Sequence, residues 1–479
     1  MQSVSLVWFR QDLRLHDNPA LAEAIDTGHV LPVYILDDTN AGDWKIGSAS
    51  RWWLHHSIQQ LNQTLANKLW VYKGDPKQII KRLISEHSIE NVFWNRCYEP
   101  WQVQRDKKIK NELEYLGISV RSFNSALLWE PWTNLKHDDT PYKVFTPFYE
   151  NGMENLFIET PTETKIAKLK AIPCSQANDK IEQLALMPTL NWYEGIASNW
   201  SPGERGAQER LDSFIQKGIE NYKVGRDFPA LNSVSRQSPH LHYGEISPRQ
   251  ILHYIAKATQ GMQIEANVAH FQKELAWREF SYSLLYYFPF ITHRNLNQKF
   301  DQFPWVENEA LLRLWQGGKT GFPIIDAGMR ELWHTGYMHN RVRMIAASFL
   351  AKNLCIPWQL GAKWFWDCLL DADLANNSAS WQWVAGSGAD AAPYFRIFNP
   401  VIQSQKFDPD GNYIRSYVPE LSSCPSKLIH DPGSASPTEI RKHGIILGND
   451  YPLPIVDLKE TRAAALTAYK NMKETILAA

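Results

Sequence analysis

Residues 371–400 combine polar side chains suited to ligand binding with aromatic side chains suited to a core, in the run DADLANNSASWQWVAGSGADAAPYFRIFNP. Buried acids and amides need partners, because an unpaired buried polar group costs about 1–3 kcal/mol. In a helix, Asp373 and Asn377 share a face, and so do Asn377 and Trp381, because residues four apart are neighbours. A bound ring system with donors and acceptors on its edge would supply the partners. An ordinary buried helix capped by Asp and Asn fits the pattern equally well, so both interpretations stay open.

A serine-rich basic turn indicates a second kind of chemistry. Ser233, Ser235 and Ser238 flank Arg236, and a helix start with a capping serine follows at Ser247. Hydroxyls, backbone amides and one guanidinium are the groups that a pyrophosphate requires. On its own this is a weak indication, since most Ser-Pro turns are simply turns.

Two helical faces add further polar and apolar pairs. Glu274 and Trp277 lie three residues apart, and Asn340, Arg343 and Met344 follow the i, i+3, i+4 spacing of one helix face. A single carboxylate on a helix is mostly solvated, and a methionine at helical spacing is mostly core. The combination of three such faces in one region favours a binding site.

The composition describes a globular protein of about two or three units, since 479 residues exceed one ordinary core. Basic and acidic residues number 50 and 51, so any nucleic-acid surface must be a local patch. The 20 tryptophans fill large cores, and tryptophan also stacks on bases and relays electrons. Five cysteines without clustered spacing argue against a disulfide framework, a structural zinc or an iron–sulfur cluster, and no metal is expected. We expect a cytoplasmic protein, because no signal-like or membrane-spanning apolar run is present.

The N-terminal part alternates short apolar runs with helical patterns, which predicts a parallel α/β sheet. The runs lie at residues 5–9, 31–35, 69–72, 91–95 and 119–123. The first helix should begin at Asp17 or Asn18, with Pro19 in its first turn. No GxGxxG motif follows the first strand, so the standard dinucleotide fingerprint is missing.

The rest of the chain is predicted to be a surface connection followed by an all-α domain. Prolines interrupt the pattern between about residues 127 and 199. Ser201 and Glu204 then read as a capping box, with Pro202 at the first helical position, and helical spacing dominates to the end. The predicted domains are an α/β domain at 1–130, a linker at 131–199 and a helical domain at 200–479.

Six segments together resemble the photolyase and cryptochrome flavoproteins, closest to the class I enzymes that repair cyclobutane pyrimidine dimers. They are LVWFRQDLRLHDNPAL, YKVFTPF, GRDFPA, ELAWREF, GYMHNRVRMIAASFL and residues 371–400. The resemblance extends from Leu6 to about Glu460. It implies an α/β antenna domain and a helical domain that binds FAD in a folded, U-shaped conformation.

The resemblance places the FAD contacts on one residue set. They are Tyr222, Val234, Ser235, Arg236, Gln237, Ser238, Arg278, Asn340, Arg343, Asp371, Asp373 and Asn377. Arg343 could pair with Asp371, and the amide of Asn377 could serve both protonation states of the flavin N5, because an amide both donates and accepts. Asn376 fits the same chemistry, and Asn377 is chosen because the family pattern has this residue four before Trp381.

The remaining roles also come from the resemblance. An electron-transfer chain falls on Trp381, Trp358 and Trp305, although each could equally be a core or anchoring tryptophan. Side chains that handle the flipped-out lesion fall on Glu274, Trp277, Asn340, Met344 and Trp383, next to Asn377. Contacts to DNA fall on Arg226, Trp277, Arg341, Arg396 and Gln403.

The family's repair reaction is light-driven: an electron passes from reduced FAD to the dimer, the cyclobutane ring splits, and the electron returns. Asn340 and Met344 match the cyclobutane-dimer enzymes, whereas six-four enzymes carry histidines at these two positions. Alternatives are a cryptochrome-type photoreceptor, a six-four enzyme and, outside the family, a flavin oxidoreductase. The expected partner is UV-damaged DNA, bound by a monomer without an obligate protein partner.

The resemblance departs from the family pattern at the antenna chromophore. The folate-type family members carry a Glu at the position of Gln102 and a Lys at that of His293. Residues 45–56 are expected to face the cleft, where a folate could stack on Trp52 or Trp53, or a deazaflavin could bind, or nothing.

Overall fold

The computed structural model describes residues 3–173, 181–391 and 395–478, so Cys174 and residues 392–394 lie outside the described part. The N-terminal domain is built on one parallel sheet with the strand order β3-β2-β1-β4-β5. Its strands are β1 (Ser3–Phe9), β2 (Gly28–Leu36), β3 (Trp70–Lys73), β4 (Asn91–Asn95) and β5 (Ser119–Phe123). All five predicted strands are therefore confirmed, and so is the α/β class of this domain.

Helices cover both faces of this sheet, which is why the central strands β1 and β2 are nearly continuous buried runs, whereas the edge strand β5 alternates. They are α1 (Pro19–Thr27), α2 (Ser48–Thr64), α3 (Pro76–His87) and α4 (Pro100–Tyr115). Of the two candidate caps for α1, Asn18 is the cap: its side chain accepts a hydrogen bond from the Leu21 amide at 3.1 Å. Asp17 instead accepts hydrogen bonds from Ser247 and Arg249 of the second domain.

The connecting segment is more deeply packed than predicted. It contains α5 (Phe145–Asn155), α6 (Glu194–Asn199) and a short strand, β6 (Lys170–Ala171), which pairs with β2. Phe145 and Phe148 are buried in the core of the helical domain. The expectation of a purely surface connection was wrong, because aromatic residues between the prolines supply core contacts.

The second domain is helical, as predicted. Its helices are α7 (Glu204–Lys217), α8 (Tyr222–Gly225), α9 (Ser238–His242), α10 (Pro248–Ala258), α11 (Glu265–Tyr287), α12 (Glu309–Gln316), α13 (Pro323–Thr335), α14 (Asn340–Ser348), α15 (Trp358–Cys368), α16 (Leu374–Ala385), α17 (Pro400–Phe407), α18 (Asn412–Tyr417), α19 (Pro437–Arg441) and α20 (Leu458–Ala478). A π-helical turn, Phe349–Asn353, extends α14. In the described residues, no helix is long and apolar enough to span a membrane.

The helix starts test the predicted caps. Ser247 caps α10 in a capping box with Gln250, as expected of a serine before proline. The capping box predicted at Ser201 was wrong: α7 begins one residue after Gly203, whose φ of 104° turns the chain away from Ser201. The Glu204 carboxylate instead accepts the backbone amides of Leu15 and His16, which ties α7 to the first domain.

Candidate functional site

A buried ion pair lies where α14 faces the end of α15. The Arg343 guanidinium donates to Asp371 at 2.9 Å, as the sequence predicted, and the Ser238 hydroxyl donates to the same carboxylate oxygen at 2.5 Å. Burial would lower the pKa of Arg343, but the Asp371 carboxylate raises it above its ordinary value. We call Ser238, Arg343 and Asp371 the cofactor cluster.

The cofactor cluster has unused hydrogen-bonding capacity. The second carboxylate oxygen of Asp371 is buried, and it has no partner among the residues that the structure describes. The same holds for the Gln237 side-chain oxygen, whose amide donates to the Ala207 carbonyl at 2.8 Å. Such atoms favour a bound polar molecule, because orphaned buried polar atoms are rare and costly.

The predicted phosphate turn leads directly into the cofactor cluster. It consists of Val234, Ser235, Arg236, Gln237 and Ser238. Arg236 adopts a left-handed conformation, with φ of 50°, which directs its guanidinium over the Tyr337 ring at 5.0 Å and to within 3.7 Å of Glu331. Hydroxyls, backbone amides and a guanidinium are thus brought to one place beside Asp371.

Asp373 is the centre of a second buried network. It caps α16 by accepting the Asn376 amide, and it also accepts the Tyr282 hydroxyl. His242 lies 3.3 Å away. Burial would raise the pKa of Asp373, but hydrogen bonds from His242 and Tyr282 and the charge of Arg278 hold it well below its ordinary value. Asp373 is therefore a carboxylate at neutral pH, held in place from three sides.

The two neighbouring asparagines are not equivalent. The Asn376 side-chain amide donates to Asp373 at 2.7 Å, so it belongs to the helix cap. The Asn377 side-chain amide donates to the Ala362 carbonyl of α15 at 2.9 Å, one turn before Trp381. Asn377 therefore takes no part in the cap of α16, and its contact with the flavin stays a prediction. Tyr222 and Arg278 complete the predicted set and are held by Phe271 and the Ala126 carbonyl.

Glu274 and Trp277 project from α11, each with a partner of its own. Glu274 forms a close ion pair with Arg226, which also donates to His270. Trp277 stacks on Phe145 with ring centroids 3.8 Å apart. The structure therefore pairs Arg226, a predicted DNA contact, with the predicted lesion contact Glu274.

The residue after Arg226 links this region to α14. Asp227 accepts a hydrogen bond from Arg341 at 2.6 Å, and Arg341 also approaches the Met344 sulfur at 3.8 Å. Asn340 is exposed and Met344 is half-buried. The adjacent residues Arg226 and Asp227 thus hold Glu274 on α11 and Met344 on α14 at the same side of the domain.

A basic groove of about 590 Å³ opens beside Arg341. It contains three predicted DNA contacts and two cations that the sequence did not single out; these five residues, which we call the basic groove, are Arg341, Arg396, Gln403, Lys406 and Arg462. Lys406 could have been found, because it follows Gln403 by three residues on one helix. Arg462 lies on α20, far away in sequence, so no local pattern indicates it.

The predicted electron-transfer tryptophans differ in burial, since two are buried and one is half-buried. Trp381 is buried on α16 and lies against α15, where a Cβ at Gly361 would approach its ring to 2.1 Å. Trp358 begins α15 and is fully buried. Trp305 is half-buried, and the next amide in the chain donates to the Cys355 carbonyl at 2.8 Å, three residues before Trp358. Trp383, on α16, is half-buried and donates to the Asp390 carbonyl at 3.1 Å.

A second cavity lies between the two domains, with about 90 Å³ of open space. Trp52 and Trp53 do not line it: both are buried in the core, so the predicted stacking surface for a folate was wrong. The cavity is lined by Gln102, Trp8 and Trp101, among others. The Gln102 side-chain oxygen is buried and has no partner among the described residues. His293 is not among the residues that line this cavity.

A parallel α/β domain joined to a helical domain with buried anchors for a polar, anionic ligand defines a two-domain cofactor-binding protein. Residues 271–471 match the FAD binding domain of DNA photolyase, and residues 5–166 match the DNA photolyase model. The chain is 46% identical over 480 residues to the deoxyribodipyrimidine photo-lyase of Agrobacterium fabrum, with 98% of each chain covered. The protein belongs to the photolyase and cryptochrome family and carries its FAD-binding domain.

Two solved structures are similar over nearly the whole chain. One, described as a bacterial class III photolyase from Agrobacterium tumefaciens, has a TM-score of 0.95 and 45% identity, and covers 99% of this chain and 98% of its own. The other, a cryptochrome from Synechocystis sp., has a TM-score of 0.89 and 30% identity, and covers 97% and 99%. The comparisons do not confirm the class I assignment expected from the sequence, because the first structure is described as class III.

Proposed function

We propose that this protein repairs cyclobutane pyrimidine dimers in UV-damaged DNA in a light-dependent reaction. The observation that carries the proposal is that side chains of α14 contact two different regions of the protein. Arg343 pairs with Asp371 in the cofactor cluster, whereas Arg341, which approaches the Met344 sulfur, lines the basic groove. Asn340 begins the same helix at an exposed position. One helix thus separates a cofactor side from a lesion side.

On the cofactor side, this chain's residues fit FAD. The serines and Arg236 of the turn would hold its pyrophosphate, and Asp373 and Asn377 would meet its polar edges. When bound and reduced, FAD supplies the electron that opens the dimer. The protein's contribution is to orient this group and keep water away from it, which the buried carboxylates and their partners support.

On the lesion side, the side chains would recognise two adjacent pyrimidines joined by a cyclobutane ring, without acid–base chemistry. Trp277 and Trp383 offer apolar faces for the dimer, while Glu274 and Asn340 offer hydrogen bonds to its imide and carbonyl groups. Met344 supplies a soft packing surface. The basic groove would hold the phosphates on either side of a flipped-out lesion.

The expected lesion class follows from the side chains at two positions of α14, neither of which can donate a proton. Opening a six-four photoproduct requires proton transfer to a hydroxyl, for which histidine is suited near neutral pH. Neither Asn340 nor Met344 can do this. His339 is adjacent but buried, and its ring nitrogen accepts the Arg341 amide to cap α14. Burial, together with the nearby charges of Arg236 and Arg226, lowers the pKa of His339 to about 3, so it is no proton donor at neutral pH.

A cryptochrome-type photoreceptor is the second candidate, favoured by the similarity to the Synechocystis cryptochrome. Both candidates predict a flavin that light can reduce through Trp381, Trp358 and Trp305. They differ in repair, because a photoreceptor has no need to split a dimer. The deciding experiment illuminates reduced protein with oligonucleotides that carry one cyclobutane dimer or one six-four photoproduct.

We also propose that the cavity between the domains is the site of any antenna chromophore. Its support is the set of unpartnered buried atoms on Gln102, Trp8 and Arg10. Absorption spectra before and after acid release of the chromophores test this: a second chromophore released beside FAD supports an antenna, and FAD alone contradicts it.

A further inference from the structure

The π-helical turn Phe349–Asn353 joins α14 to the wall of the basic groove. Such turns are uncommon and often mark functional positions. Here the turn points two polar side chains at two different elements. Lys352 donates to the backbone carbonyl of Arg396, and Asn353 donates to Thr461 of α20 at 3.0 Å.

Lys352 is an unusual residue to find in this place. Only 4% of it is exposed, and its ammonium lies 4.5 Å from the centroid of the Phe395 ring. The Phe395 ring in turn stacks on Tyr469 of α20 at 4.7 Å. Lysine is almost never fully buried without a paired acid, because burial penalises its charge.

The charged groups around Lys352 are mostly of its own sign. Arg396 is adjacent, and the other cations of the basic groove stand on α14, α17 and α20. Among the described residues, no acid forms an ion pair with Lys352. Asp227, in the wall of the basic groove, accepts Arg341, and Asp457 caps α20 by accepting the Lys459 amide. Burial, and then repulsion by Arg396, lower the pKa of Lys352 to about 7.

We propose that Lys352 is a positioning residue that couples DNA binding in the basic groove to the uptake of a proton. The inference rests on the proposed function, because it requires a DNA phosphate at Arg396. A phosphate there offsets the guanidinium charge and favours the charged form of Lys352. Binding therefore raises the pKa of Lys352, and the charged ammonium holds the Arg396 backbone most firmly when DNA is present.

The direction of the pH dependence follows from this linkage. Below about pH 7, Lys352 is charged with and without DNA, so it contributes no pH dependence. As pH rises from 7 towards 9, the free protein loses the proton and the complex retains it, so affinity falls. One linked proton limits the fall to about tenfold per pH unit.

The test measures binding of a labelled duplex with one cyclobutane dimer, by fluorescence anisotropy at fixed salt between pH 6.5 and 9. For the FAD-loaded wild type we expect affinity at pH 9 to be at least about threefold below that at pH 7. Lys352→Arg, which stays charged, should keep the affinity of pH 7 across the range. Lys352→Met should bind more weakly at pH 7 and show no slope. Lys363→Met, an exposed lysine on α15, should follow the wild type.

The outcomes distinguish a failure of the role proposed for Lys352 from a failure of the proposed function. Lesion-specific binding whose pH slope persists in Lys352→Met or in Lys352→Arg overturns the role of Lys352 and leaves the proposed function intact. Equal binding of damaged and undamaged duplexes contradicts the proposed function, and the slopes of the three variants on either duplex still decide the role of Lys352. If Lys352→Met does not fold, as judged by flavin absorbance, Lys352→Arg alone decides it.

Discussion

The cofactor cluster and the basic groove flank the same helix, α14, but they are built in opposite ways. In the cofactor cluster, the Asp371 side chain is 4% exposed and satisfies Arg343 and Ser238 together. On the groove side, Asp227 is 35% exposed, and its partner Arg341 stands among other cations. A closed buried network fixes one bound molecule in one orientation, whereas an open set of like charges tolerates many DNA sequences.

This contrast has an energetic consequence. Removing one partner of a buried ion pair strands the other charge and costs about 3–5 kcal/mol, whereas an exposed pair contributes about 0–1 kcal/mol. Substitutions on the cofactor side should therefore remove most of the bound FAD. Those on the groove side should change affinity in steps that depend on salt.

The largest effect is expected from Asp371→Asn. It removes the main counter-charge of the largely buried Arg343, at a cost of up to about 3–5 kcal/mol, so the purified protein should have lost most of its FAD. The ratio of flavin to protein absorbance measures this. Asp410→Asn, at an exposed position, is the matched control and should retain FAD. Full flavin content in Asp371→Asn would refute the closed-network description.

Glu274→Ala tests the lesion side, where the expected effect is intermediate between those in the cofactor cluster and in the basic groove. A charge-assisted hydrogen bond is worth about 1.5–3 kcal/mol, so repair should fall by roughly ten- to a hundredfold while FAD stays bound. Release of Arg226 from its pair adds a free cation near the DNA, so binding of undamaged DNA should not weaken. Loss of flavin from this variant would show that Glu274 belongs to the cofactor side instead.

Trp358→Phe tests the path that leads out of the cofactor side. Phenylalanine keeps the buried ring but is much harder to oxidise, so light-driven reduction of oxidised flavin should slow by about tenfold or more, on the order of 1.4 kcal/mol in barrier. Repair by chemically reduced protein should be unchanged. The control is Trp132→Phe, whose ring is 42% exposed in the connecting segment. Equal rates of photoreduction in the wild type, Trp358→Phe and Trp132→Phe would contradict a role for Trp358 in electron transfer.

The smallest effect is expected in the basic groove. Arg396→Gln should weaken DNA binding by a few-fold and reduce the slope of log affinity against log salt by about 0.9, the value for one phosphate in a duplex. Arg205→Gln, on α7 with a side chain 87% exposed, is the control and should leave the slope unchanged. An unchanged slope in Arg396→Gln would mean that this arginine contacts no phosphate.

The two regions also differ in how far the sequence predicts them. The pairing of Arg343 with Asp371 was predictable because the family resemblance places both residues at the FAD site, where buried opposite charges need partners. The five strands were predictable from apolar runs. What the sequence could not provide is the partners of Asp373: Tyr282 and His242 lie on other helices, and no local spacing connects them.

The errors have physical causes as well. Residues 45–56 were expected to face a cleft, and Ile46 and Leu54 do line the cavity between the domains. Trp52 and Trp53 instead lie on the inner face of α2, and Trp53 donates to Glu245 of the second domain at 3.0 Å. Helical periodicity shows which residues share a face, and not which element covers that face. Arg226 and Arg462 illustrate the same limit, because the first is held by Glu274 and the second arrives on the final helix.

Repair of a defined lesion is the measurement on which the proposed function depends. Chemically reduced, FAD-loaded protein is illuminated with an oligonucleotide that carries one cyclobutane pyrimidine dimer, and in parallel with one that carries a six-four photoproduct; the restored strands are counted after separation. Because Asn340 and Met344 can bind and pack a lesion but cannot protonate one, we expect repair of the cyclobutane dimer and none of the six-four photoproduct. Repair of the six-four photoproduct alone would contradict the proposal, and repair of neither lesion would favour the photoreceptor.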